Sequence, residues 1–190
     1  WGIPILAATG ALALTVVLFR CLPRPAYREA KPGAFEPIIA QAAHRHGVSP
    51  TLIKAVIWKE SRFRTFSVGR DQEVGLMQIT EGAVIDWKEH FGKPLPRRGL
   101  RFDPALNIEI GTWYLAKAMR DWRDYRSGDA LALAQYNAGG SRARRWAPEN
   151  PQEELDLARL KRDGFDSTRD YIRQVRSKWH EFEKENAFSG

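Results

Sequence analysis

Glu60 stands four residues after Val56 and three after Ile57, in a stretch where Leu52, Ile53, Val56 and Ile57 recur at helical spacing. It therefore falls on the apolar face of a helix, at its C-terminal end. A carboxylate there is disfavoured as an anion twice over. Burial strips its water, and the negative end of the helix dipole repels it. Both effects raise its pKa, which suits a general acid working near neutral pH. Taken alone, the same glutamate also reads as a group at a frayed helix end, beside Lys59 or Arg62, with no role.

Two further groups of polar residues keep apolar company. Gly75-Leu76-Met77-Gln78-Ile79 sets Gln78 inside an apolar run. Tyr136-Asn137-Ala138-Gly139 sets a phenol and an amide at the end of the small-residue stretch ALALA. A buried amide has to find partners. Amides beside aromatic rings also suit sugars: amides bind hydroxyls and N-acetyl groups, and rings cover the apolar sugar faces. Other chemistries lack their patterns. His44 and His46 are two apart and do not share a helix face, and with His90 and His180 they make no metal-ligand spacing. No Ser-His-Asp or Cys-His arrangement suggests itself. Gly139-Gly140 is read as ending a helix, not as opening one around a phosphate.

The elements that hold these groups read as helices. Ser49 is a candidate N-cap with Pro50 at the first helical position, and Asp103-Pro104 repeats the pair. Ile38, Ile39, Ala42 and Ala43 make an earlier helix closed by Gly47. Residues 63–74 are polar and read as a loop or short hairpin. Residues 80–91 read as a helix broken by Gly92-Lys93-Pro94-Leu95-Pro96. A long helix runs through Leu106, Ile110, Trp113, Tyr114, Lys117 and Trp122. A shorter one opens at Gly128-Asp129, and a more polar one ends near Arg162. Ser167 with Asp170 forms a capping box for the last helix, through Tyr171, Val175 and Trp179. The expected fold is all-α with at most one short hairpin: a single globular domain over residues 35–190.

The 190 residues carry a net charge of +7 and are 43% hydrophobic. An anionic partner is plausible, such as an acidic polymer or a membrane surface. Residues 35–190 hold 26 Lys and Arg against 22 Asp and Glu, with no basic run, so nucleic-acid binding has no motif behind it. The lone Cys21 excludes an internal disulfide. Residues 2–19 carry no charge, which is the minimum length for a membrane-spanning helix and also fits a signal-peptide core. Arg20, Arg24, Arg28 and Lys31 follow. Phe19-Arg20 before Cys21 is a poor lipidation signal, and no A-x-A-like cleavage site follows, which favours an uncleaved anchor. The expected organisation is a transmembrane or signal-anchor segment at 1–22, a proline-rich linker at 23–34 and the folded domain beyond.

Four motifs occur in order and at matching spacing: Glu60-Ser61 closing a helix, Gly75-Leu76-Met77-Gln78, Ala134-Gln135-Tyr136-Asn137-Ala138-Gly139, and Thr168-Arg169-Asp170-Tyr171. Asn107-Ile108-x-x-Gly111-x-x-Tyr114-Leu115 adds a fifth match. In these the chain resembles the family 1 lytic transglycosylases, with their soluble lytic transglycosylase domain of lysozyme-like fold, over residues 36 to about 180. The resemblance implies peptidoglycan as substrate, cut at the β-1,4 bond between N-acetylmuramic acid and N-acetylglucosamine without water. It implies Glu60 as acid and then base, with no metal and no cofactor. It places Ser61 and Gln78 near an N-acetyl group, Met77 along the groove, Tyr136 and Asn137 on sugar, and Tyr171 in a hydrogen bond to Glu60. It also implies the periplasmic face of a bacterial cell envelope, with the N-terminal segment in the inner membrane. The chain departs from the family pattern at Arg64-Thr65, where an Asn-Pro pair is usual, and at Gly69-Arg70-Asp71-Gln72-Glu73. A hydrolase on the same fold, with Asp71 or Glu73 positioning a water, is the alternative. A catalytically silent wall-binding module is a further one, which the presence of Glu60 disfavours.

Overall fold

The computed structural model describes residues 32–188, as a helical domain. The apolar segment expected at 1–22, and the expected linker up to residue 31, lie outside the described residues. A short 3-10 turn, Pro32–Phe35, leads into α1 (Glu36–His46) and α2 (Pro50–Ser61). Then come α3 (Glu81–Phe91), a second 3-10 turn (Arg98–Phe102) and α4 (Pro104–Asp121). The chain ends with α5 (Gly128–Ala138), α6 (Gly140–Trp146), α7 (Leu157–Arg162) and α8 (Asp166–Phe188). Among the described residues the only β pairing is two isolated bridges, Val68 with Val74 and Val74 with Ile79. They are what the hairpin expected in 63–74 amounts to. Among the same residues no helix is long and apolar enough to cross a membrane.

The packing follows the apolar faces. α2 lies along α8, α4 along α1 and α5, and α5 also touches α8. Leu52, Ile53, Val56 and Ile57 of α2 are buried, as are Ile108, Ile110 and Leu115 of α4, Leu131 and Leu133 of α5, and Ile172 and Val175 of α8. Burying side chains of this size contributes roughly 1.5–3 kcal/mol each. The alanines of α5 let it sit close to its neighbours: Ala130, Ala132 and Ala134 are all buried.

The ends of the helices explain where the groups of interest fall. Gly47 closes α1 in a left-handed conformation, its N–H donating to the Ala43 carbonyl. Ser49 is the N-cap of α2 but its side chain makes no cap bond; its hydroxyl pairs with that of Thr51 at 2.6 Å. Asp103 caps α4 by accepting from the Leu106 N–H at 2.9 Å. At the far end of α2 the chain turns sharply, because Arg62 and Phe63 both have positive φ, +54° and +60°. Such a conformation costs a non-glycine residue about 1 kcal/mol or more. Phe63 offsets it by burying its ring beside Phe35, and Arg62 by stacking its guanidinium 3.3 Å from the centre of the Trp58 ring. Gly139 separates α5 from α6, and Gly140 opens α6, so the Gly-Gly pair does not simply end a helix. The glycine breaks the helix axis, and the following residues resume helical turns with Ala143 and Trp146 facing the core.

One side chain locks the turn 74–79 to the helical core. Asn107 of α4 is fully buried. Its Nδ2 donates to the carbonyls of Val74 (2.9 Å) and Arg101 (2.8 Å), and its Oδ1 accepts from the Met77 N–H (2.8 Å). Gly75 has φ +81°, and a Cβ there would lie 2.2 Å from the Asn107 amide, so only glycine fits this turn. Asn107→Leu keeps the volume and takes the partner from the Met77 N–H and the Arg101 carbonyl, while the Val74 carbonyl keeps its bond from the Ile79 N–H. At about 1–3 kcal/mol for each such group, the variant is expected to lose about 2 kcal/mol or more in urea denaturation. Wild-type stability would show that the turn is held by other means.

Candidate active site

Glu60 sits in the last turn of α2, half-buried, where the backbone reversal at Arg62 and Phe63 begins. Its Oε1 accepts a hydrogen bond from the Tyr171 hydroxyl of α8 at 2.7 Å. Burial pushes the carboxyl up to about 7. The Tyr171 hydrogen bond and the charge of Lys59 act against that rise, and the carboxylate of Glu73 adds to it. The nearby cation does not cancel the burial because it is turned away: Lys59 Nζ donates to Gln174 at 3.1 Å and rides over the Tyr171 ring. At neutral pH the group is thus divided between acid and carboxylate.

Tyr136 enters from the end of α5. Its hydroxyl donates to the Met77 carbonyl at 2.8 Å. Its ring meets that of Tyr114 edge-on, with centroids 5.8 Å apart. Burial holds the phenols of Tyr136 and Tyr171 well above their usual pKa, and the charge of Glu60 adds to both shifts. Both stay neutral and remain hydrogen-bond donors. Glu60, Tyr171, Tyr136 and the carbonyl of Met77 therefore form one cluster, although they come from four separate parts of the chain.

The other residues singled out in the sequence are placed differently. The Ser61 hydroxyl is buried and donates back to the Ile57 carbonyl at 3.1 Å. The Met77 side chain is fully buried against Gly111, where a Cβ would come within 2.7 Å of it, and only its backbone faces Tyr136. Gln78 has φ +47°, and its Nε2 donates to the carbonyls of Gly75 (2.9 Å) and Ser67 (3.1 Å), so its amide hydrogens hold the loop together. Asn137 is exposed, and its Oδ1 accepts from the Thr168 hydroxyl at 2.9 Å, which turns its donor nitrogen outward. Asp71 lies exposed in the loop, and its backbone N–H donates to Glu73 Oε2 at 3.0 Å.

Sequence reasoning gave no role to Asn107 or Thr168. A signal existed for Asn107, which is a polar residue on the apolar face of a long helix, as Gln78 is a polar residue in an apolar run. Thr168 had only its place in a motif.

The sequence model of the transglycosylase SLT domain family matches residues 37–157. The chain belongs to this family. A membrane-bound lytic murein transglycosylase C of Pectobacterium atrosepticum is 32% identical over 96 residues, which is 48% of this chain and 26% of that protein. The inactive mutant of the lytic transglycosylase Slt from Pseudomonas aeruginosa superposes with a TM-score of 0.69 at 25% identity, covering 85% of this chain and 25% of that one. The 70-kDa soluble lytic transglycosylase of Escherichia coli shares the fold, with a TM-score of 0.67 at 24% identity over 78% of this chain and 24% of its own. The chain thus spans about a quarter of the length of these relatives. The expected lysozyme-like helical fold agrees with these superpositions.

In the folded protein Glu60 titrates near 7, against 4.5 for the free side chain. Its folded form holds the proton more tightly, so its contribution to stability is complete below about 4.5 and is lost as pH rises through 7, by about 3 kcal/mol. Glu60→Gln cannot titrate, so relative to wild type it should gain about that much between pH 4 and pH 8 in chemical denaturation. A stability difference that stays flat across this range would mean that Glu60 is well solvated. Tyr171→Phe removes the donor that favours the carboxylate. The Glu60 carboxyl carbon, followed by NMR, should then titrate above its wild-type midpoint; an unmoved or lower midpoint would contradict the hydrogen bond.

Proposed function

We propose that this domain is a peptidoglycan lytic transglycosylase, with Glu60 as its one catalytic carboxyl group. The observation that carries the reading is a carboxyl drawn out of water at the end of α2 and bonded at 2.7 Å to a neutral phenol, in a domain of this family. Glu60 donates its proton to the glycosidic oxygen as the bond from C1 of N-acetylmuramic acid to O4 of N-acetylglucosamine breaks. The resulting carboxylate then takes the proton of the 6-hydroxyl of the same muramoyl unit. That oxygen bonds to C1 and closes a 1,6-anhydro ring, so no water is consumed. A pKa of about 7 serves both half-steps, since neither protonation state is rare at the working pH. Ordinary glycoside hydrolysis uses two carboxyl groups, and here one suffices.

The neighbours have roles that fit their geometry. Tyr171 holds the Glu60 carboxyl and stabilises the anion formed after the first proton transfer. Tyr136 and the outward amide nitrogen of Asn137 meet the sugar, Tyr136 as a ring already oriented by Met77. Ser61 and Met77 support the site from within, and Gln78 has its amide oxygen left to accept from an N-acetyl N–H. The same reading puts the protein in the bacterial cell envelope, on the periplasmic face, with residues 2–19 as its inner-membrane anchor. The name of the Pectobacterium relative, membrane-bound and acting on murein, supports this.

One observation favours a hydrolase as the second reading. The charge of Glu73 adds to the rise of the Glu60 pKa, and in a hydrolase that second carboxylate would position a water. Mass spectrometry of fragments released from purified peptidoglycan separates the two. Anhydromuramoyl ends are expected, with release falling at least about 10³-fold in Glu60→Gln, in line with a lost general acid and nucleophile activator. Reducing ends that disappear in Glu73→Gln would establish the hydrolase instead. Release unaffected by Glu60→Gln would remove Glu60 from the chemistry.

A further inference from the structure

Among the described residues, the large hydrophobic side chains left exposed are Phe66, Val68, Phe91, Leu95 and Leu100, from 42% exposed at Phe91 to 57% at Leu100. All five fall in two short segments, 66–68 and 91–100. Elsewhere among the described side chains the large apolar groups are buried or partly buried. The two segments are also joined. The Phe66 ring stacks on that of Phe102 at 5.8 Å, and Arg98 donates to the side chain of Gln72 at 2.9 Å and to its carbonyl at 3.3 Å. Arg101 folds the second segment back on itself by donating to the Pro96 carbonyl at 3.0 Å, and it pairs with Glu81 at the start of α3. Together they make one lobe on the loop side of the domain.

The charge of the lobe is one-sided. Residues 91–102 hold Lys93, Arg97, Arg98 and Arg101 and no acidic residue. Lys93, Arg97 and Arg98 are exposed, as is Arg70 on the facing loop, and none of the four is in an ion pair among the described residues. Of the carboxylates around it, Glu81 is taken by Arg101, Glu109 by Arg45 and His46, and Asp103 by the cap of α4; Asp71, Glu73 and Glu89 are the others. Long cationic side chains around apolar tips are the arrangement of an interfacial membrane contact: the tips enter the headgroup region and the cations meet lipid phosphates. A glycan strand fits less well. It would find rings at Phe66 and Phe91, which are stacked on Phe102 and packed against Trp87 and Trp113, but Val68, Leu95 and Leu100 offer it no flat ring and no hydrogen bond to a sugar hydroxyl.

We propose that this lobe docks the domain on the surface of an anionic lipid bilayer. The contact is separate from any held by residues 2–19, and it does not depend on the enzymatic reading. The test uses the full chain with Cys21→Ser and a polarity-sensitive fluorophore on Leu100→Cys. A second protein carries the fluorophore on Lys161→Cys, at an exposed position of α7. Each is mixed with vesicles containing phosphatidylglycerol or with vesicles of phosphatidylcholine alone. On the anionic vesicles the probe at 100 should shift to the blue and lose quenching by acrylamide, while the probe at 161 stays aqueous. Raising the salt, or the double change Arg97→Glu and Arg98→Glu, should reverse the shift. Attachment through residues 2–19 alone would leave both positions aqueous on either lipid and would overturn the proposal. Equal shielding on both lipids would also overturn it, as would shielding of position 100 by purified peptidoglycan and not by vesicles.

Discussion

A carboxyl group that keeps its proton near pH 7 has to be taken out of water without being handed a cation. The structure meets that constraint at the end of α2. Packing of α2 along α8 removes the water, and α8 returns a single neutral donor, the Tyr171 hydroxyl. Lys59 is the adjacent residue in sequence and would undo the effect if it turned inward. Its ammonium is drawn off by Gln174, again a residue of α8. The same helix thus supplies the burial, the phenol and the restraint on the nearby charge. Helix dipole and desolvation act in one direction at this point, so a small change in the α2–α8 packing would move the carboxyl far from its working range.

The remaining polar groups of the site are arranged by relay. Asn107 fixes the backbone of Met77, and the carbonyl of Met77 then fixes the Tyr136 ring that closes one side of the cluster. Thr168 fixes Asn137 in the same indirect way. None of these contacts touches Glu60. They decide which atoms face it. The departures from the family pattern at Gly69-Arg70-Asp71-Gln72-Glu73 fall in the stretch tied to this relay through Gln78, whose amide nitrogen holds the Ser67 and Gly75 carbonyls. The variable loop can therefore change at its exposed side while its inner edge stays attached.

What the sequence made legible was mostly local. The helix carrying Glu60, its Pro50 start, the Asp103 cap and the Gly47 stop all rest on contacts between residues four or fewer apart, where periodicity and capping rules apply. The position of Glu60 on an apolar face followed from the same 3.6-residue period. What it hid was the direction of polar side chains. Ser61 looked available to a ligand and is turned back into its own helix, because an i−4 carbonyl is the nearest partner for a buried hydroxyl. Ser49 looked like a side-chain cap and spends its hydroxyl on Thr51. The bonds from Tyr171 to Glu60, from Tyr136 to Met77 and from Asn107 to Val74 span 111, 59 and 33 residues, and no local pattern encodes them. Residue identities became informative about them only as ordered motifs.

The turn at residues 74–79 has two isolated bridges and almost no regular structure of its own. Val74 and Ile79 bond each other in both directions and Gln78 closes on Gly75, but the Met77 N–H at the tip is satisfied from outside, by one amide on α4. Such a segment has no independent free energy of folding; it is ordered when α4 is docked and loses its form when α4 departs. The turn and α4 should accordingly behave as a single cooperative unit, and the surface presented by Gln78 should never persist on a half-assembled chain. A domain built this way has its site tied to completion of its core: an incompletely folded copy cannot present it.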